Sequence, residues 1–118
     1  MTAIIPAESL PQFENMIYLP MVLIILERDR EVFEKGAFKL GRPYIAVVEK
    51  AIKAVRNDLK ETKQYLRENK MKLLRVGRDE TTTEYTFFYG GYEQNRRYLN
   101  VRLRNRTEEL LEVYLMQD

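Results

Sequence analysis

A chain of 118 residues with no cysteine and no histidine excludes a disulfide framework, a thiolate nucleophile, a zinc–thiolate centre and the usual general base at neutral pH. Its 45% hydrophobic and 32% charged residues are the composition of a globular chain rather than a disordered one, and its length buries enough surface to need no metal or disulfide staple. A formal charge of +2 falls short of the basic balance of a dedicated nucleic-acid binder.

The opening MTAIIPAESLPQ carries no Lys or Arg, the wrong pattern for a secretory signal, so the expected location is the cytoplasm. One domain over residues 1–118 is expected, with 1–9 as a loose leader. Ser9 is a possible helix cap, and Pro11 suits a first helical turn, where a missing N–H costs nothing.

Met16 to Leu26, MIYLPMVLIIL, is apolar on every side, and a helix of that kind must be enclosed by other elements. It is too short to cross a membrane, which takes about 17 to 25 apolar residues, and Glu27-Arg28-Asp29-Arg30-Glu31 closes it. Pro20 lies inside the run, and either kinks one helix or begins a second. Gly36 is a natural stop, and Gly41-Arg42-Pro43 reads as a connection.

Pro43 suits the first position of a second helix. Tyr44, Val48, Ala51, Val55, Leu59, Thr62 and Leu66 recur at steps of four and three, Ile45 and Ile52 widen the stripe, and Asn69 ends it. The stripe fits either a coiled-coil seam for a partner or packing against the chain's own apolar helix; the second is the plainer reading. Next comes a hairpin, Met71 to Val76, a polar turn over Gly77 to Glu80, and Thr81 to Tyr89, in which Thr83, Tyr85, Phe87 and Tyr89 share a face. Gly90-Gly91 punctuates. The remainder reads as a last helix to about Met116, with Leu99, Leu103, Leu110 and Tyr114 on one face. The fold class is therefore α+β and mostly helical: three to four helices, with one β-hairpin before the C-terminal helix.

Little here supports catalysis. The carboxylates Glu27, Asp29 and Glu31 are interleaved with arginines, and neighbours one or two apart on a helix do not share a face, so the segment reads as a solvated turn. Neither a metal nor a cofactor is expected. Gly90-Gly91 lacks the spacing of a phosphate-cradling loop, and nothing near Thr81-Thr82-Thr83 would activate a hydroxyl. Tyr85, Tyr89, Tyr92 and Tyr98 can stack nucleobases, but they also suit the margin of a small core.

The compositional anomaly is a run of Arg96, Arg97, Arg102, Arg104 and Arg106 with no acid until Glu108. A helix dipole prefers the opposite order, so local helix energetics do not explain it. Lys70, Lys72, Arg75 and Arg78 form a second basic run at the hairpin. If the hairpin and the last helix pack together, Lys72, Arg75 and Arg78 join the arginine run in one anion- or partner-binding surface. Arg104 can meet Glu108 at i+4 and Arg106 can meet Glu109 at i+3.

The segments Tyr18-Leu19-Pro20-Met21-Val22-Leu23, Glu27-Arg28-Asp29, Pro43-Tyr44, Tyr89-Gly90-Gly91-Tyr92-Glu93 and Arg104-Asn105-Arg106, with Glu109-Leu110-Leu111, resemble a family of short uncharacterised proteins from spore-forming bacteria. That resemblance brings no activity with it. In element order alone the chain is also similar to winged-helix DNA-binding domains, but those use a short, turn-linked helix pair, and Tyr44 to Asn69 shows no such break. The sequence points to a non-enzymatic interaction or structural protein that forms homo-oligomers and takes a protein partner. The alternative is a nucleic-acid-binding accessory protein using the hairpin and the arginine run. No membrane role is expected.

Overall fold

The computed structural model describes residues 5–36 and 41–117. Helix α1 spans Leu10–Lys35 and helix α2 spans Gly41–Glu68. Three strands follow, β1 Met71–Arg78, β2 Thr82–Tyr89 and β3 Tyr92–Leu99, and helix α3 spans Asn100–Leu115. Residues 1–4 of the expected leader lie outside the described residues. The rest of it forms a turn in which Ser9 N–H donates to Pro6 C=O at 2.9 Å. Ser9 is buried and makes no side-chain cap; its hydroxyl instead shares a 3.2 Å hydrogen bond with that of Tyr65.

Helix α1 runs unbroken through Pro20, which settles whether a second helix begins there. The missing N–H leaves the turn one bond short, and dense packing on both sides of the proline offsets it. Phe13, Ile17, Tyr18, Leu19, Val22 and Leu26 are all buried. The charged segment after Leu26 is likewise helical rather than a turn, and it joins the two helices: Glu27 pairs with Arg56 at 3.8 Å and Arg30 with Glu49 at 3.9 Å. Gly36 ends the helix, its N–H donating to Val32 C=O at 2.7 Å.

In α2 the apolar stripe at Val48, Ala51, Ile52, Val55, Leu59, Thr62 and Leu66 is buried. It packs on Leu19, Val22 and Leu26 of α1, and Tyr114 of α3 closes that cluster. The plainer reading of the stripe therefore holds. A second cluster joins the other half of α1 to the sheet through Phe13, Ile17, Tyr18, Met71, Tyr85, Phe87 and Leu103. Phe13 and Phe87 stack there with ring centroids 4.6 Å apart.

The sheet departs from the sequence reading. Tyr92–Leu99 is a third antiparallel strand, ordered β1-β2-β3, and not the start of the last helix. Tyr89 pairs with Tyr92 across Gly90-Gly91, which is a two-residue hairpin loop with Gly90 at φ 60°. Side chains with positive φ clash, so glycine suits that position. The expected common face of Thr83, Tyr85, Phe87 and Tyr89 is present and turned toward the helices. Pairing with a third strand and packing on helices both occur, and each supplies what an isolated hairpin lacks.

Candidate functional site

The basic residues of the hairpin reach the last helix through one irregularity. Strand pairing places Arg75 opposite Tyr85 and Arg78 opposite Thr83, with a β-bulge between Arg75 and Gly77. Residues three apart on a regular strand point to opposite faces. The extra residue at Val76 resets that alternation, so Arg75 and Arg78 both stand on the Tyr85 face.

The start of α3 is tied to the same end of the sheet. Asn100 N–H donates to Thr81 C=O at 2.8 Å, its side-chain amide donates to Asp79 C=O at 3.0 Å, and Thr83 Oγ1 donates to its Oδ1 at 2.6 Å. Asp79 Oδ1 fixes the turn itself by accepting the Thr81 and Thr82 N–H groups at 2.8 and 2.7 Å. Those backbone hydrogen bonds hold its carboxyl below the usual carboxylate range.

The result is an open cleft of about 580 Å³ among α1, α3 and the β1–β2 end of the sheet. Arg75, Arg78 and Arg104 line it, and Met21, Ile24, Ile25, Leu103 and Leu111 supply its apolar surface. Among the described residues none of these three arginines makes an ion pair. In particular Arg104 does not pair with Glu108, although both line the cleft. Burial raises the Tyr85 hydroxyl above its ordinary value, while the positive charges of Arg75 and Arg78 act against that rise.

The other arginines of the run go elsewhere. Arg96 lies on the helix-facing side of the sheet, its guanidinium carbon 5.3 Å from the centre of the Phe87 ring, and its Nε is buried without an acceptor. Arg97 is on the opposite side and pairs with Glu84 at 3.3 Å. Arg106 pairs with Glu109 at 2.9 Å, as expected from their spacing, and it shares with Arg102 and Glu14 a depression over the start of α1. Lys72 is exposed and pairs in register with Phe88, on the sheet face away from Leu73 and Phe87. The eight expected binding residues are thus split over several surfaces, and only Arg75, Arg78 and Arg104 converge on the cleft. Arg102 and Arg104 diverge because a two-residue step on a helix turns about 200°.

Two comparisons with known proteins match most of this chain. The model of the YhjD protein family matches residues 4–118. The chain belongs to that family. It is 39% identical over 102 residues to the uncharacterized protein YhjD of Bacillus subtilis (strain 168), covering 86% of this chain and 85% of that one. No solved structure matches. The family resemblance carried by the sequence segments is therefore correct, and the likeness to winged-helix domains finds no support in the long antiparallel pair α1 and α2.

A second surface in this family member lies on the α1–α2 pair beyond α3. Helix α3 reaches Asp58 of α2, where the Tyr114 hydroxyl donates to the carboxylate, and the part of the pair nearer its connection is left uncovered. Ile24 is 52% exposed, Val32 60% and Val47 48%. A groove of about 950 Å³ runs along one side of this region. It is lined by Ile24 and Ile52 together with charges of both signs, among them Glu27, Arg28, Glu49 and Lys53. Among the described residues no cluster of three or more acids could hold a metal ion, and no helix is long and apolar enough to cross a membrane.

The cleft was only half legible in sequence. Both basic runs were visible. The contribution of Met21, Ile24 and Ile25 was missed, because an all-round apolar helix gives no sign of which side stays open.

Proposed function

We propose that this chain is a non-enzymatic cytoplasmic interaction protein that works as a homo-oligomer, with the α1–α2 pair beyond α3 as the face that meets a second copy. The observation that supports this reading is the exposure of Ile24, Val32 and Val47 on a molecule 61 Å long and only 18 Å thick. Apolar side chains on an uncovered helix pair gain most from association, since burial contributes about 25 cal/mol per Å². A two-fold interface brings each surface against itself, and the mixed charges of the groove beside Ile24 let acids of one copy face bases of the other. The lack of His and Cys leaves no usual general base or thiolate and favours a binding role over a catalytic one. A cysteine-free chain also suits a reducing compartment.

Light scattering tests the reading. A mass above that of the 14.1 kDa chain is expected at micromolar concentration, and Val32→Glu with Val47→Glu should return it to the monomer. A wild-type mass that stays monomeric across all accessible concentrations removes the proposal.

A further inference from the structure

We infer that the cleft among α1, α3 and the β1–β2 end binds a small soluble amphiphile, a carboxylate on a single apolar chain, with Arg75, Arg78 and Arg104 around the head and Ile24, Ile25 and Leu111 along the tail. This goes beyond self-association, although Ile24 borders both the cleft and the groove on the face assigned to a second copy, so the titration is run on the monomeric variant as well as on the wild type.

The cleft has two unlike ends. The sheet end carries Arg75 and Arg78, and Arg104 sits one turn into α3. The other end is formed by Ile24 and Ile25 of α1 and Leu111 of α3. From Arg104 to Leu111 the helix rises about 10 Å, a length that suits a medium aliphatic chain. Three arginines against the single acid Glu108 leave the cleft net positive, and none of the three is neutralised by an ion pair among the described residues.

That combination is unfavourable when empty. Like charges gathered beside apolar surface repel one another, and Ile24 is left 52% exposed with Ile25 half-buried beside it. A carboxylate with an apolar tail satisfies both ends at once. Planar guanidinium groups hold its two oxygens, and the tail removes Ile24 and Ile25 from water. The volume, about 580 Å³, lies within the range of small-molecule sites. Nucleic acid fits less well, because the apolar end has no counterpart in a phosphate backbone.

Calorimetric titration with decanoate, kept below its micelle-forming concentration, tests the inference. Decanoate should bind, hexanoate more weakly and acetate not measurably. Decyltrimethylammonium, with the same tail and the opposite charge, should bind at least tenfold more weakly than decanoate. In the double variant Arg78→Gln, Arg104→Gln, decanoate affinity should fall at least tenfold while the melting curve followed by circular dichroism stays as in the wild type, since both side chains are exposed. The inference is overturned if decanoate does not bind, if acetate binds equally well, or if the cationic amphiphile matches decanoate. Should the double variant fail to fold, the head-charge and chain-length comparisons on wild-type protein still decide the matter. Repeating the titration on the Val32→Glu, Val47→Glu variant separates this outcome from the fate of the oligomer.

Discussion

Tyr114 shows how a residue readable from sequence acquires a role that is not. Its place on the apolar face of the last helix follows from periodicity, but its hydroxyl donates to Asp58, 56 positions away, and no spacing rule reaches that far. Burial, then the hydrogen bond and negative charge of Asp58, raise its pKa well above the ordinary 10.0. Burial moves Tyr18, Tyr85 and Tyr98 in the same direction. A phenol whose folded pKa is raised stabilises the fold fully below its unfolded value. That stabilisation is lost as pH rises from about 10 toward the folded pKa, because the unfolded chain releases its proton first. Urea midpoints should therefore hold through neutral pH and fall above about pH 10. Tyr114→Phe should lower stability by about 1 to 3 kcal/mol at pH 7, since the Asp58 carboxylate loses a donor, and should make the alkaline decline shallower. An unchanged midpoint at pH 7 would show that water replaces the phenol without loss.

At the scale of elements, α1 was both the best and the most misleading signal. An all-round apolar segment requires enclosure, and Leu19, Val22 and Leu26 are indeed enclosed by α2 and α3. Yet Ile24, which borders the cleft beside Leu111 of α3, is left half in water. The third strand was missed for a different reason. Tyr92, Gln94, Arg96 and Tyr98 share a face, but Arg96 and Arg97 hide the alternation, while the two-residue Gly90-Gly91 loop between Tyr89 and Tyr92 was the available hairpin signal. Positions on α1 should accordingly differ in energy despite similar chemistry. Leu26→Ala, at a site with no exposure, is expected to cost about 2 to 5 kcal/mol in chemical denaturation. For the monomer, Ile24→Ala should stay within about 0.5 kcal/mol. Equal losses at the two sites would mean that Ile24 is covered in solution.

Over the whole molecule, shape and charge bear on nucleic-acid binding together. The radius of gyration is 16.5 Å, against about 13.5 Å expected for a compact chain of this length, so the surface is large and its charges are spread thin. Arg96 faces the Phe87 ring, Arg97 and Arg106 are paired with Glu84 and Glu109, and Arg102 lies over the start of α1. Of the eight expected binding residues, Arg75, Arg78 and Arg104 gather without an ion pair among the described residues. From the run of five arginines in sequence, only Arg104 enters the cleft, where Arg75 and Arg78 from the hairpin make it a local cluster of three. Duplex affinity depends on how many phosphates are neutralised together, with a log-log salt slope of about 0.9 for each. Three arginines limit that slope to about 2.7, against values near 10 for strong binders. Anisotropy of a labelled duplex should therefore show weak binding at low salt that disappears near physiological salt. Arg78→Gln with Arg104→Gln should abolish even the low-salt signal. A slope steeper than about 5 would require arginines from separate faces to meet one duplex at once, which this monomer does not allow, and would make the nucleic-acid alternative a property of the oligomer.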